Sequence, residues 1–279
     1  MVSAFALMLG VTVCYTITSF SDKYAISESK FSGSEFTFLM CSSMSVFTLL
    51  TLPFQKIHFT LTWQSFAAIL LIAACKMLEF QTNAKVLQQL SAFELKAWIG
   101  VTLFVSYLTD VAYGAEISVL KLLCIAATAA GLVLIVKSGR KNKIEYRKIA
   151  IPLVLYLASK YGYGLIIRTF TPYISPTMQF MPALALVALI TLPRINLRKI
   201  FRENKKGAAN VILARIPNTA GMLMENAVIS VSLASYSFIQ PMILISLFVI
   251  GLFQKNRYSR LNLAGSIICI AGVVLFQLI

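Results

Sequence analysis

Five ionisable side chains stand inside long apolar runs: Lys76, Glu79, Lys96, Lys160 and Arg215. A charge in a membrane-length apolar segment is expensive, so it usually faces a cavity or a partner. Lys76 and Glu79 are three residues apart and share one face of a helix, where they can form an ion pair. With Arg215, Glu94 and Lys96 they fall in one layer about a third of the way in from a helix end, counting about 1.5 Å per residue. Ion pairs that form in one conformation and break in another would make such a layer a gate. Snorkelling of long stems to the headgroups is the competing account, and it suffices for Lys96.

Lys160 lies in the middle of its run with no acid nearby in sequence, in the stretch Lys160-Tyr161-Gly162-Tyr163-Gly164. A lysine there could hold an anionic group. Tyr161 and Tyr163 could offer ring faces to an apolar or cationic one, and the glycines admit a second backbone or a ligand. Glycine-mediated helix packing is the plainer alternative. Gln240 and Trp98 are candidate polar and aromatic cavity walls, or simply packing. Asn83 and Asn226 read as helix caps, and Thr12, Thr16, Ser42, Ser43 and Ser45 as hydroxyls that join helices.

Enzyme chemistry starts badly. The chain holds one histidine, His58, and five cysteines, Cys14, Cys41, Cys75, Cys124 and Cys269, none in a Cys-x-x-Cys pair. That excludes a histidine-based triad and disfavours a disulfide framework or a zinc site. No cofactor or catalytic residue is expected.

The elements that must position these groups follow from composition. Of 279 residues, 58% are hydrophobic, and the mean hydropathy is +0.81. Globular domains run at about 45–50% apolar, so the solvent for this chain is a lipid bilayer. Ten apolar segments are long enough or nearly so to span it: 2–20, 36–54, 62–82, 92–108, 119–136, 149–167, 176–192, 208–225, 234–253 and 261–279. In hydrocarbon each must be a helix, because an open sheet would leave backbone groups unpaired. The first has no basic leader and no small-residue cleavage site, so it reads as a mature helix.

The net charge of +15 is unevenly placed. Eighteen of the 25 Lys and Arg fall in alternate loops, with Lys137, Arg140, Lys141, Lys143, Arg147 and Lys148 together in one and Arg194, Arg198, Lys199, Arg202, Lys205 and Lys206 in another. The opposite loops hold Lys56 and Arg168. The positive-inside rule makes the rich side cytoplasmic and sends both termini outward. The basic runs therefore read as topology anchors beside anionic headgroups rather than as a nucleic-acid surface. The expected location is the cytoplasmic (inner) membrane of a bacterium.

Landmarks recur at a near-constant offset. Thr51-Leu52-Pro53 returns as Thr191-Leu192-Pro193, Asn83-Ala84 as Asn226-Ala227, and Ala130-Gly131 as Ala271-Gly272. The repeat divides the chain into 1–138 and 139–279, five segments each. Five is odd, so the second copy enters the bilayer from the other side, and the halves are related by a two-fold axis in its plane. Inverted repeats are a hallmark of secondary transporters.

The stretch 233–275 resembles the ninth-to-tenth helix pattern of the drug/metabolite transporter (DMT) superfamily, EamA type, with Pro241, Gly265 and Gly272 in place. The family's usual Gly-Glu turn is missing there, since Asn256 stands near the Glu position, while Gly114-Ala115-Glu116 is a near match in the first half. The resemblance implies an all-α membrane protein of ten helices in two inverted five-helix repeats, working by alternating access; it names no substrate.

The expected function is secondary transport of a small polar metabolite, such as an amino acid or organic acid. Lys76, Lys160 and Arg215 outnumber Glu79 among the mid-membrane charges, which tilts the substrate towards a carboxylate or phosphate. A cationic or drug-like amine is the alternative, and a channel or lipid scramblase is the rival from another class. Proton coupling through Glu79 is open; a Glu79 held by Lys76 would stay ionised and suit uniport or exchange.

Overall fold

A computed structural model describes residues 4–29, 31–87, 90, 95, 98–99, 102–139, 146–253 and 259–279. Among the described residues the chain is helical almost throughout. The helices are α1 (Ala4–Ser29), α2 (Gly33–Thr51), α3 (Trp63–Leu87), α4 (Thr102–Ala112), α5 (Val119–Gly139), α6 (Tyr146–Phe170), α7 (Pro176–Thr191), α8 (Lys205–Leu213), α9 (Arg215–Val231), α10 (Leu233–Phe253) and α11 (Arg260–Leu278). The extended pairing seen among these residues is a single antiparallel bridge, Phe59 with Ile174.

Five stretches are long and apolar enough to cross a membrane: Gly33–Phe54, Trp63–Asn83, Ile149–Phe170, Pro176–Arg194 and Leu233–Ile250. Ala4–Ser19, Thr102–Ala112, Val119–Ile135 and Arg260–Phe276 are apolar but shorter. Their outer faces are apolar as well: Ile151 is 73% exposed, Leu123 60% and Leu70 60%. So much exposed Leu and Ile suits hydrocarbon, not water. The helices fit an integral membrane protein.

Local signals explain most helix ends. Ser32 accepts from the Glu35 amide while the Glu35 carboxylate accepts from the Ser32 amide, a reciprocal cap that starts α2 three residues before the predicted segment. Thr51-Leu52-Pro53 and Thr191-Leu192-Pro193 end α2 and α7 alike, each running into a three-residue 3₁₀ turn, Leu52–Phe54 and Leu192–Arg194. The residue after each turn is extended, with φ/ψ of −120°/147° at Gln55 and −121°/156° at Ile195.

Two expectations change. The predicted segment 208–225 is two helices, α8 and α9, broken at Ala214. Pro217 supplies the reason: it has no N–H for the carbonyl four residues back, on Leu213, and its ring crowds that carbonyl. The second helix then continues to Val231, so Glu225 is interior rather than terminal. Asn83 and Asn226 are also interior, because α3 runs on to Leu87 and α9 to Val231; neither is a cap. Most of the predicted segment 92–108 before Thr102, including Glu94 and Lys96, lies outside the described residues.

The helices pack α3 on α6, α1 on α9, α2 on α7, α4 on α10 and α5 on α11, and α1 also packs on α10 and α3 on α7. The α5–α11 seam is a close backbone approach. A Cβ on Gly131 would lie 2.6 Å from the Gly265 carbonyl oxygen and 2.8 Å from the Cys269 amide nitrogen. A Cβ on Gly272 would lie 2.8 Å from the Cys124 carbonyl oxygen and 2.3 Å from the Thr128 hydroxyl. Gly131 and Gly272, Cys124 and Gly265, Thr128 and Cys269 are each 141 positions apart, so the two contacts are the same contact with the helices exchanged.

Most hydroxyls serve their own helix. Thr12, Ser42 and Ser43 donate to carbonyls four residues back, of Met8, Phe38 and Leu39, as buried hydroxyls do when no other partner is near. Ser45 does cross between helices, donating to the Met181 carbonyl on α7 at 3.1 Å.

Candidate functional site

A cavity of about 240 Å³ lies among α1, α2, α3, α6, α7, α9 and α10. Its walls carry Lys76, Glu79, Lys160, Arg215 and Glu225, together with Tyr15, Tyr156, Tyr163 and Gln240.

Glu79 is the centre. It is buried, and each of its carboxylate oxygens holds one lysine: Oε2 takes Lys76 Nζ at 3.0 Å and Oε1 takes Lys160 Nζ at 2.6 Å. The first pair is the expected neighbour on α3. The second corrects the sequence reading of Lys160 as a lysine without an acid: α6 packs along α3 and brings Glu79 to it. Lys76 Nζ also stands 3.9 Å from the centre of the Tyr163 ring, within cation–π range. Tyr163 in turn meets Phe180 edge to face, with ring centres 5.9 Å apart.

The helix α9 brings a second carboxylate. Glu225 is 5% exposed and accepts from the Tyr15 hydroxyl of α1. Among the described residues no Lys or Arg nitrogen lies within 4 Å of it, the separation that defines the ion pairs of Glu79 and Asp110. Its neighbour Asn226 accepts from the Tyr163 hydroxyl at 2.8 Å. One tyrosine thus joins two helices, its hydroxyl on Asn226 of α9 and its ring under Lys76 of α3.

The other expected residues divide. Arg215 lines the cavity at the first position of α9; its Nε donates to the Val211 carbonyl at 3.3 Å, and its guanidinium stands 5.9 Å from the Phe36 ring. Gln240 lines the cavity from α10. Tyr161 does not: it points to α4, where its hydroxyl bonds the Thr109 hydroxyl at 2.6 Å, because it is two residues from Tyr163 and so on another side of the helix. Trp98 packs instead at the edge of an apolar cluster of Val86, Leu90, Leu95, Ile99, Ile149, Leu153 and Tyr156. Of the glycines beside Lys160, Gly164 serves close packing and Gly162 does not require it. A Cβ on Gly164 would lie 2.8 Å from the Tyr236 ring, and one on Gly162 3.5 Å from the Cys75 sulfur. Tyr236 closes this contact by donating to the Lys160 carbonyl at 3.3 Å.

Sequence reasoning missed Glu225, Tyr15 and Phe180. The predicted segment 208–225 ends at Glu225; the largely apolar run Ala227–Val231 that follows is the signal that places it inside a longer helix. Nothing in the sequence marks Tyr15 or Phe180 among the chain's 30 Tyr and Phe.

A second ion pair lies away from the cavity. Asp110, near the end of α4, pairs with Arg168 of α6 and accepts from the Ser232 hydroxyl at 2.8 Å and the amides of Leu233 and Ala234 at 3.0 and 2.9 Å. It therefore caps α10 from another helix. At the same end of the bundle the loops after α2 and α6 are tied: Thr60 donates its amide to Tyr173, Ser175 its amide to His58, and His58 Nε2 bonds the Thr171 carbonyl at 2.6 Å. This is the end opposite the basic loops.

No family model matches the chain, and no curated protein matches it. Among the described residues no three His, Cys, Asp or Glu side chains group as metal ligands do.

Proposed function

We propose that the chain is a secondary transporter of the DMT superfamily, EamA type, which moves a small polar metabolite by alternating access. The observation that carries this reading is the charged cavity within an apolar bundle, walled by helices from both 1–138 and 139–279. Buried charge in a membrane marks a solute or ion path. At about 240 Å³ the space falls below the roughly 300–1,000 Å³ of drug-sized pockets, so it suits a small metabolite.

The pairing of helices supports two inverted five-helix repeats. Exchanging the halves turns α3 on α6 into α9 on α1 and leaves α2 on α7, α4 on α10 and α5 on α11 as they are. The reciprocal glycine contacts of α5 and α11 fit the same axis. In this reading the basic loops face the cytoplasm of a bacterial cell and both termini face outward. The Asp110 knot and the tied loops then close the outer side, and the Glu79 layer faces inward. Lys76, Glu79 and Arg215 are the moving charges of the inner half, and their rearrangement opens or shuts it. A Glu79 held by two lysines favours uniport or exchange over proton coupling.

The test is solute flux in proteoliposomes containing the purified chain, with and without a pH gradient. Saturable uptake that Lys160→Ala abolishes is expected. Flux that no solute saturates would favour a channel or scramblase, and a rate that rises with an imposed gradient would restore proton coupling.

A further inference from the structure

We propose that the basic linker between α7 and α8 is a binding site for anionic phospholipid. Arg194, Arg198 and Arg202 hold the phosphate, while Leu197 and Phe201 sit among the acyl chains beside it. The proposal needs the helices to lie in a bilayer and is independent of any solute in the cavity.

Depth comes first. The apolar span of α7 ends at Arg194, so the linker 195–204 begins where hydrocarbon gives way to headgroups. Within it Leu197 is 47% exposed and Phe201 49%. They lie four positions apart in a helical stretch that runs into Lys199–Glu203, and so share one side of it. Arg198 and Arg202 follow them by one position each and form a second row alongside. Arg194 stands four positions earlier, in the turn Leu192–Arg194. All three arginines are exposed, and among the described residues none of them forms an ion pair. An apolar row beside a basic row is the pattern of an element that lies in the membrane interface. A guanidinium suits the phosphate because its planar fork can donate two parallel hydrogen bonds.

The linker is fixed to the bundle. Ile200 is fully buried against Leu39 of α2 and Ala208 and Val211 of α8. The Asn204 side chain caps α8 by accepting from the Gly207 amide at 3.2 Å. With Ile200 turned inward, Leu197 and Phe201 are left facing out. A lipid held on this face clamps the neighbouring ends of α2 and α8, and a ligand that binds only the folded chain stabilises it.

The repeat supplies a comparison. Thr51-Leu52-Pro53 opens the matching linker 52–62 with the same turn. That linker exposes Phe54 and Leu61, yet its one Lys or Arg is Lys56. It is also tied to the loop after α6, through Thr60 to Tyr173 and Ser175 to His58. The linker 192–204 instead carries Arg194, Arg198, Lys199 and Arg202 against the single acid Glu203. A topology anchor needs only the charge. The apolar row set beside the arginines is what makes a site, and it calls for a partner with an anionic head and an apolar tail.

Three probes separate the possibilities: dihexanoylphosphatidylglycerol, dihexanoylphosphatidylcholine, which has no net charge, and glycerol 3-phosphate, which has no acyl chains. Each is added to the purified full chain in a neutral detergent. Melting temperature reads stabilisation, and native mass spectrometry counts bound lipid. The phosphatidylglycerol is expected to bind and to raise the melting temperature, and the other two to leave it unchanged. The triple variant Arg194→Gln/Arg198→Gln/Arg202→Gln should weaken phosphatidylglycerol binding at least about tenfold, equivalent to 1.4 kcal/mol. Phe201→Ser, which keeps every charge, should weaken it as well. Arg140→Gln/Lys141→Gln/Lys143→Gln removes the same charge from another basic loop and should keep the response. Melting temperature without lipid and the gel-filtration profile show that each variant is folded. An equal response to phosphatidylcholine overturns the proposal, and an equal response to glycerol 3-phosphate makes the linker a free-anion site. Equal losses in the two triple variants, or wild-type binding by Phe201→Ser, would show that net charge alone attracts the lipid, and would also overturn it.

Discussion

Two buried ion-pair clusters tie helices together in this bundle, and they are built differently. Asp110 is saturated: Oδ1 accepts from Arg168 and the Leu233 amide, and Oδ2 from the Ser232 hydroxyl and the Ala234 amide. Nothing is left for a solute. The cavity cluster is unfinished. Two lysines share one carboxylate, and a second carboxylate nearby has a tyrosine hydroxyl where the first has cations. Burial is alike in the two places; unmatched charge and residual hydrogen-bonding capacity are what separate the structural knot from the proposed binding site.

The largest effect expected from breaking that comparison is on stability. Asp110→Ala removes a buried partner of Arg168 and the cap of α10 together, and such losses cost about 3–5 kcal/mol. Its melting temperature should fall sharply while the ranking of solutes stays as it was. A variant that melts normally but changes solute preference would make Asp110 part of the site and erase the distinction. Next comes Lys160→Ala. Lys76 remains on Glu79, so melting should change less than for Asp110→Ala. Binding of the solute should drop by at least about tenfold, which corresponds to 1.4 kcal/mol.

The seam between α5 and α11 gives a control remote from both clusters. Gly131→Ala and Gly272→Ala each push a Cβ into backbone at under 3 Å. Overpacking of this kind costs about 1–3 kcal/mol. The two variants should lose similar stability, since their contacts are reciprocal, and neither should alter solute preference; unequal losses would argue against a two-fold axis through that seam. The smallest effect is expected for Tyr163→Phe. It deletes the bond to Asn226, worth about 1 kcal/mol, but keeps the ring under Lys76. A calorimetric titration should show a modest loss of affinity.

Much of the fold was legible. Apolar runs of membrane length announced helices, and the Thr-Leu-Pro and Ala-Gly landmarks turn out to occupy matching places, at the ends of α2 and α7 and in the seam of α5 with α11. The site was legible only in part. Lys76 with Glu79 could be read because both lie on one helix. Lys160 with Glu79 could not, since 81 positions separate them and the pairing depends on α3 lying along α6. Tyr161 and Tyr163 look equivalent in sequence, yet two residues on a helix are far enough apart in direction that one faces the cavity and the other Thr109.

What the sequence alone determined is the solvent and the secondary structure. A chain this apolar must satisfy its backbone internally, so it folds as helices in lipid, and each costly charge advertises that it has a purpose. What only the tertiary structure decided is which charges meet. Pairing depends on helix contacts and on where each helix really ends, and the end of α9 at Val231 is what turns Glu225 from a terminal residue into the open carboxylate of a cavity.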